Sequence, residues 1–117
     1  MSNWGGASII GIGELKPERK KPGRTGLGLA QEAARQCIRD SGLRKDQVDG
    51  LITENQFANT VSFSEYLDIR PTWQHSINMM GSSGATAVSA AAAAVNAGLA
   101  ENVLVVVSSP DPNPSAA

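Results

Sequence analysis

Four short apolar runs separated by helical segments predict an α/β fold with a mostly parallel, layered sheet. Three observations carry that class. Residues 102–109 form a continuous apolar run, as a parallel strand covered on both faces requires. Residues 85–99 read as a helix of nearly all small side chains, with so little polar face that both of its sides need cover. Strands that alternate with helices in this way connect through right-handed β-α-β crossovers.

The elements follow in order. Residues 7–13 (Ala-Ser-Ile-Ile-Gly-Ile-Gly) are rich in β-branched residues and predict a buried first strand. Residues 14–26 carry Lys16, Arg19, Lys20, Lys21 and Arg24 among two prolines, which stop regular structure and leave a solvated basic loop. Thr25 can cap a helix whose Leu29, Ala30, Ala33, Ala34, Cys37, Ile38 and Ser41 share one face. Gly42 ends that helix, and Leu43 fits a Schellman-type closure. Residues 47–53 predict the second strand, entered through Asp49-Gly50.

Ser62 and Glu65 match a capping box, so a short helix is expected from Ser62 to about Arg70, where Pro71 closes it. Residues 73–77 alternate as a third strand. After them Asn78-Met79-Met80-Gly81-Ser82-Ser83-Gly84 turns the chain into the alanine helix, and residues 102–109 complete the order βαβαβαβ. Residues 110–117, with prolines at 110, 112 and 114, form a tail that cannot supply a further layer. One structural unit over residues 1–117 is expected, with its ordered core over about 7–109.

Composition narrows the function. A chain of 117 residues holds one modest core, and 41% hydrophobic against 18% charged residues describes a globular protein rather than a disordered one. Ten basic and eleven acidic residues leave a net charge of −1, which argues against broad binding of nucleic acid or an anionic membrane. Cys37 is the single cysteine, so no internal disulfide forms, and one Cys with one His makes no credible metal site. Cys37 on an apolar helix face is read as core. The N-terminus lacks the pattern of a secretory signal and no run is long enough to span a bilayer, so a cytoplasmic location is expected.

The turn between strand and alanine helix concentrates the chemistry. Gly81 and Gly84 permit a tight bend, and Ser82 or Ser83 can cap the first helical N–H groups. Those N–H groups and the positive end of the helix dipole favour an anion or a developing oxyanion. The bend resembles a nucleophile elbow, yet Gly81 at its apex has no side chain to attack with. It is one residue short of Gly-x-Ser-x-Gly and lacks the lysine of a phosphate-binding loop. Gly11 and Gly13 begin a dinucleotide pattern whose third glycine is missing. His75, the only histidine, lies within a predicted strand and reads as a strand residue; His75 and Asn78 are kept as accessory candidates.

The Ile-Ile-Gly-Ile-Gly run, the helix ending Asp40-Ser41-Gly42-Leu43, the segment Gln47-Val48-Asp49-Gly50-Leu51-Ile52, Asn78-x-x-Gly81-Ser82-Ser83-Gly84 and the alanine helix ending Ala97-Gly98-Leu99-Ala100 together resemble the N-terminal part of a thiolase. Within that superfamily the resemblance is to the lipid-transfer or sterol-carrier branch. It covers residues 7–109 and implies a thiolase-like layered fold. Thiolases pass an acyl group through a cysteine at the head of the buried helix, and position 81 is where that cysteine should stand. Gly81 therefore implies an acyl-CoA protein without thiolase nucleophile chemistry, with Gly81, Ser82, Ser83 and Gly84 as the substrate-binding or oxyanion segment.

The resemblance further implies aldol or retro-aldol carbon–carbon chemistry in an assembled form, with coenzyme A present only as part of the substrate and no cofactor besides. Residues 1–117 alone are expected to be inactive. A homodimer, or a hetero-oligomer with a C-terminal half or accessory subunit, is expected as well. The alternative is a non-catalytic scaffold or acyl-CoA and lipid-binding subunit; a small nucleotide-binding domain is a third.

Overall fold

A computed structural model describes residues 6–13, 26–54, 60–77 and 83–107. The elements are α1 (Gly26–Ser41), β1 (Gly50–Glu54), α2 (Thr60–Leu67), β2 (Trp73–Ile77), α3 (Ser83–Asn96) and β3 (Val103–Val106), with a 3-10 turn at Lys45–Gln47. The three strands form one parallel sheet in the order β2-β1-β3, in which Gly50 stands level with Trp73 on one side and Val103 on the other. The α/β class and the parallel pairing are those the sequence predicts.

β1 is central, and its Leu51, Ile52 and Thr53 are completely buried. Successive strand residues face opposite ways, so the sheet carries a core on each side. Leu51, Leu104 and Val106 pack with Ala34 and Ile38 of α1 and Phe63 and Leu67 of α2. Ile52 and Ile77 pack with Ala87 of α3, joined by Val103 and Val105. The result is three layers, α1 and α2 over one face and α3 over the other. The alanine helix is covered by the sheet on one side and open on the other among the described residues, as expected of a chain whose tail supplies no further layer: Ala87, Ala92 and Ala94 are buried, whereas Ala85 and Ala93 are exposed.

Helix ends follow local rules. At the close of α3 the Gly98 N–H bonds to the Val95 carbonyl at 3.1 Å and the Leu99 N–H to the Ala94 carbonyl at 2.9 Å, with Gly98 at φ 77°. That is a Schellman closure, and a positive φ is what glycine adopts without a Cβ penalty. α2 closes alike through Asp68, at φ 58°, and buries Ile69 against the core. α1 keeps the glycine half of the expected closure, with Gly42 at φ 78° and its N–H bonded to the Arg39 carbonyl at 3.2 Å, and departs only in the second bond. There the Ser41 hydroxyl donates to the Ile38 carbonyl at 2.6 Å and accepts from the Leu43 N–H at 3.1 Å, so a hydroxyl relays the bond that the backbone would otherwise make.

Two element boundaries also differ. α2 begins at Thr60, so Ser62 lies within the helix instead of capping it. β1 begins at Gly50 rather than at 47, because the backbone of residues 45–47 closes a 3-10 turn and Asp49 is committed elsewhere. The Asp49 carboxylate accepts from the Glu101 N–H at 3.0 and 2.9 Å and from the Asn102 N–H at 2.8 Å. Its carbonyl accepts from Thr72 N–H at 2.9 Å and Trp73 N–H at 3.2 Å, while its own N–H donates to the Asn102 carbonyl at 3.1 Å. One residue thus ties together the entrances of all three strands.

The predicted first strand is corrected. Residues 7–13 are extended but lie outside the sheet, and Ile9 and Ile12 are about 70% and 68% exposed instead of buried. What holds the segment is α1: the Ile12 N–H donates to Asp40 Oδ2 at 2.9 Å, and the Cys37 thiol to the Gly11 carbonyl at 3.3 Å. Gly11 and Gly13 approach the α1 backbone so closely that a Cβ on Gly11 would lie 2.7 Å from the Cys37 carbonyl oxygen. With its backbone bonded to a helix and no strand beside it among the described residues, the segment has no ladder to join. Thr25, the basic residues of the 14–24 loop and the tail 110–117 lie outside the described residues.

Candidate functional site

Parallel pairing puts the C-terminal ends of β1, β2 and β3 on one rim of the sheet. From β1 the chain passes to α2 on one face; from the neighbouring β2 it passes to α3 on the other. Where two adjacent strands send their connections to opposite faces a crevice opens at the rim, and open α/β sheets bind ligands there. Residues 55–59 and 78–82 join these elements in the chain and are outside the described residues. Asn78, Gly81 and Ser82 therefore lie outside the described residues, while the strand before them and the helix after them frame their place.

α3 begins at Ser83, directly after that connection, and has no acidic residue in its first turn. The positive end of its dipole is thus not offset by a carboxylate of its own, which suits a developing anion. Among the described residues a Cβ on Gly84, the second residue of α3, would meet nothing within 4 Å.

His75 is not gathered to the rim. It stands in mid-β2, level with Ile52, is exposed, and stacks on Trp73 with ring centroids 6.1 Å apart and planes 21° off parallel. At about 3.3 Å per residue it sits some 7 Å short of the strand end. Sequence reasoning passed over Glu54, the last residue of β1, which the register sets level with Ile77 at the rim. An acidic residue closing an apolar strand was the available signal.

Cys37 lies elsewhere, half-buried on α1 against the core of that face. Burial raises its thiol above its ordinary value near 9.0, the Asp40 carboxylate raises it further, and a backbone hydrogen bond from Gly13 opposes them. It is therefore a neutral thiol at pH 7, the weak nucleophilic form. Among the described residues no group of three or more His, Cys, Asp or Glu could hold a metal ion. A cavity of about 990 Å³ opens between β3 and residues 6–13, away from the β1–β2 rim; the rim keeps priority because the α3 N-terminus and the switch in connection direction coincide there.

Solved structures share this arrangement. The one titled Ltp2-ChsH2(DUF35) aldolase matches with a TM-score of 0.76 and 31% identity, over 83% of this chain and 26% of that one. The fold is thiolase-like. The same thiolase-like fold is shared by 3-oxoacyl-[acyl-carrier-protein] synthase III from Aquifex aeolicus VF5, with a TM-score of 0.68 and 22% identity over 82% of this chain and 33% of that one. It is shared too by a 3-oxoacyl-(acyl-carrier protein) synthase from Burkholderia xenovorans LB400, at 0.63 and 19% over 74% of this chain and 27% of that one. The chain therefore spans a third or less of the length of these structures. No protein-family model matches it, and no curated protein matches it. No described helix is long and apolar enough to cross a membrane.

Proposed function

We propose that this chain is the N-terminal part of a thiolase-like protein of the lipid-transfer type, which cleaves a carbon–carbon bond in an acyl-CoA thioester by retro-aldol chemistry. The observation that carries the proposal is the 31% identity to an aldolase over 83% of the chain. Gly81 supports it, because a position without a thiol cannot carry an acyl group. The first turn of α3, which carries no acidic residue, supports it as well.

The chemistry such a site serves is simple to balance. A base takes the proton from the hydroxyl on the β-carbon of a 3-hydroxyacyl thioester, and that oxygen becomes a carbonyl as the bond between the α- and β-carbons breaks. The electron pair passes into the thioester as an enolate. Its oxygen carries the new charge, and backbone N–H groups about Ser82, Ser83 and Gly84 would stabilise it, as oxyanion donors do. Protonation of the α-carbon releases the shortened acyl-CoA. No redox partner or cofactor enters, and coenzyme A is part of the substrate.

The base and the proton donor come from beyond these residues, so the active unit is the chain assembled with the remainder of the fold and an accessory subunit. Incubation with a 3-hydroxyacyl-CoA is expected to give a carbonyl product and a shortened acyl-CoA from the assembled protein and nothing from residues 1–117 alone. Binding of the thioester by the assembled protein without any product would replace the lyase with a scaffold; turnover by residues 1–117 alone would refute the need for assembly.

A further inference from the structure

We propose that Asp49-Gly50 is a site of spontaneous backbone isomerisation, to isoaspartate through a cyclic imide, which the bonds at the strand entrances hold shut while the sheet is closed. The pair has the covalent make-up for it. The reaction needs a carboxyl carbon one methylene from the backbone and, on the next residue, an amide nitrogen that can reach it; Gly50 brings no Cβ to obstruct the approach. Its nitrogen attacks Asp49 Cγ. With the carboxyl protonated by solvent, the nitrogen's hydrogen and the carboxyl hydroxyl leave as water, and a five-membered imide closes. Water then opens the ring at either carbonyl. Opening at the former side-chain carbonyl restores aspartate; opening at the former main-chain carbonyl leaves the backbone running through Cγ, one methylene longer, with the free carboxylate on Cα. No co-reactant besides water enters.

In the closed sheet the polar atoms of the reacting peptide are all engaged. The Asp49 carbonyl accepts from the Thr72 and Trp73 N–H groups at 2.9 and 3.2 Å, and the Gly50 N–H donates to the Asn102 carbonyl at 3.1 Å. The Asp49 carboxylate accepts from the Glu101 and Asn102 N–H groups. The reaction consumes the Gly50 hydrogen and one carboxyl oxygen, so it cannot run unless bonds to Asn102 and to the carboxylate first break. Space is short as well. A Cβ at Gly50 would lie 2.8 Å from Val103 Cγ2 and 3.1 Å from Ala100 Cβ, so the peptide cannot turn without displacing the entrance of β3.

Opening of the strand entrances therefore sets the rate. Local openings admit chemistry in proportion to the open population, so the imide forms in molecules whose entrances have parted. The change is lasting. With a methylene added to the main chain, the carboxylate no longer stands where Glu101 and Asn102 meet it, and the register that sets Gly50 level with Trp73 and Val103 is disturbed. Isoaspartate at 49 is thus a chemical record of opening, at the residue on which three strands converge. Asp40, Asp46 and Asp68 set the contrast, since Ser41, Gln47 and Ile69 after them each carry a Cβ that slows the same attack.

The test incubates the chain, its Phe63→Ala variant and a capped peptide of residues 45–54 at one pH and temperature. Isoaspartate at 49 is followed by proteolysis and chromatography against a synthetic isoaspartyl peptide. The peptide is expected to isomerise roughly tenfold or more faster than the native chain, and urea is expected to bring the chain to the peptide's rate. Phe63→Ala, which alters neither reacting residue, is expected to isomerise faster than the native chain. The inference is overturned if the native chain isomerises as fast as the peptide, or if in urea Asp49 converts no faster than Asp46. It is overturned too if Phe63→Ala keeps the native rate although its amides at 103–106 exchange faster.

Discussion

Phe63→Ala is expected to cost about 3–5 kcal/mol, the largest loss of any single truncation in the described core. Phe63 is fully buried at the point where α2 meets the sheet, in one cluster with Leu51 of β1, Leu67 of α2 and Ala34 and Ile38 of α1. Among the described residues no other aromatic side chain belongs to that cluster. A domain of this size holds roughly 5–15 kcal/mol in all, and the variant should unfold at a far lower urea concentration or fail to unfold cooperatively. Phe63→Leu, which keeps most of the volume, is expected to lose under about 1.5 kcal/mol. A loss below about 1 kcal/mol for Phe63→Ala, measured by equilibrium unfolding, would show that α2 does not close this face.

Asp49→Ala is expected to cost roughly 2–3 kcal/mol, because hydrogen bonds to a charged acceptor are worth more than neutral ones and the Glu101 and Asn102 N–H groups both lose theirs. The damage should be directional. Those two residues lead into β3, whereas the links to β2 run through the Asp49 carbonyl and survive the substitution. Amide exchange should therefore quicken across residues 101–106 more than across 73–77. Asp49→Asn keeps an acceptor oxygen and is expected to lose less than half as much. Equal loss in the two variants, or faster exchange in β2 alone, would remove Asp49 from its place as the clasp of the sheet.

What the sequence made legible tracks where the physics is local. The interior of α1 was readable because Ala30, Ala34 and Ile38 recur at helical spacing, and all three are buried. β3 was readable from its unbroken apolar run, although the strand itself is the four residues Val103–Val106. The parts that went astray depend on partners distant in the chain. Residues 7–13 have strand composition, but composition does not say whether a neighbouring strand is present, and here a helix took the backbone bonds instead. Ser62 and Glu65 have capping-box spacing, yet α2 starts two residues sooner. Asp49-Gly50 looked like a turn signal; that its carboxylate would bind residues some fifty positions later was invisible.

Of the residues singled out at the Gly-Ser turn, Asn78, Gly81 and Ser82 lie outside the described residues. A glycine and serine cluster between an apolar strand and an alanine helix marks the β2–α3 connection in the sequence, and the structure sets the end of β2 at a rim where adjacent strands lead to helices on opposite faces. Glu54 escaped notice because only the register brings it level with Ile77. His75 drew notice as the lone histidine, while its mid-strand position beside Trp73 keeps it from the rim.

The central proposal, a thiolase-like scaffold that works on a thioester without forming an acyl-enzyme, is tested most directly by the mass of the chain during turnover. The assembled protein, quenched in acid while it consumes a 3-hydroxyacyl-CoA, should yield this chain at its unmodified mass, while Gly81→Cys should gain the mass of an acyl group. An acyl adduct on the unsubstituted chain, at Cys37 or at Ser82 or Ser83, would contradict the account.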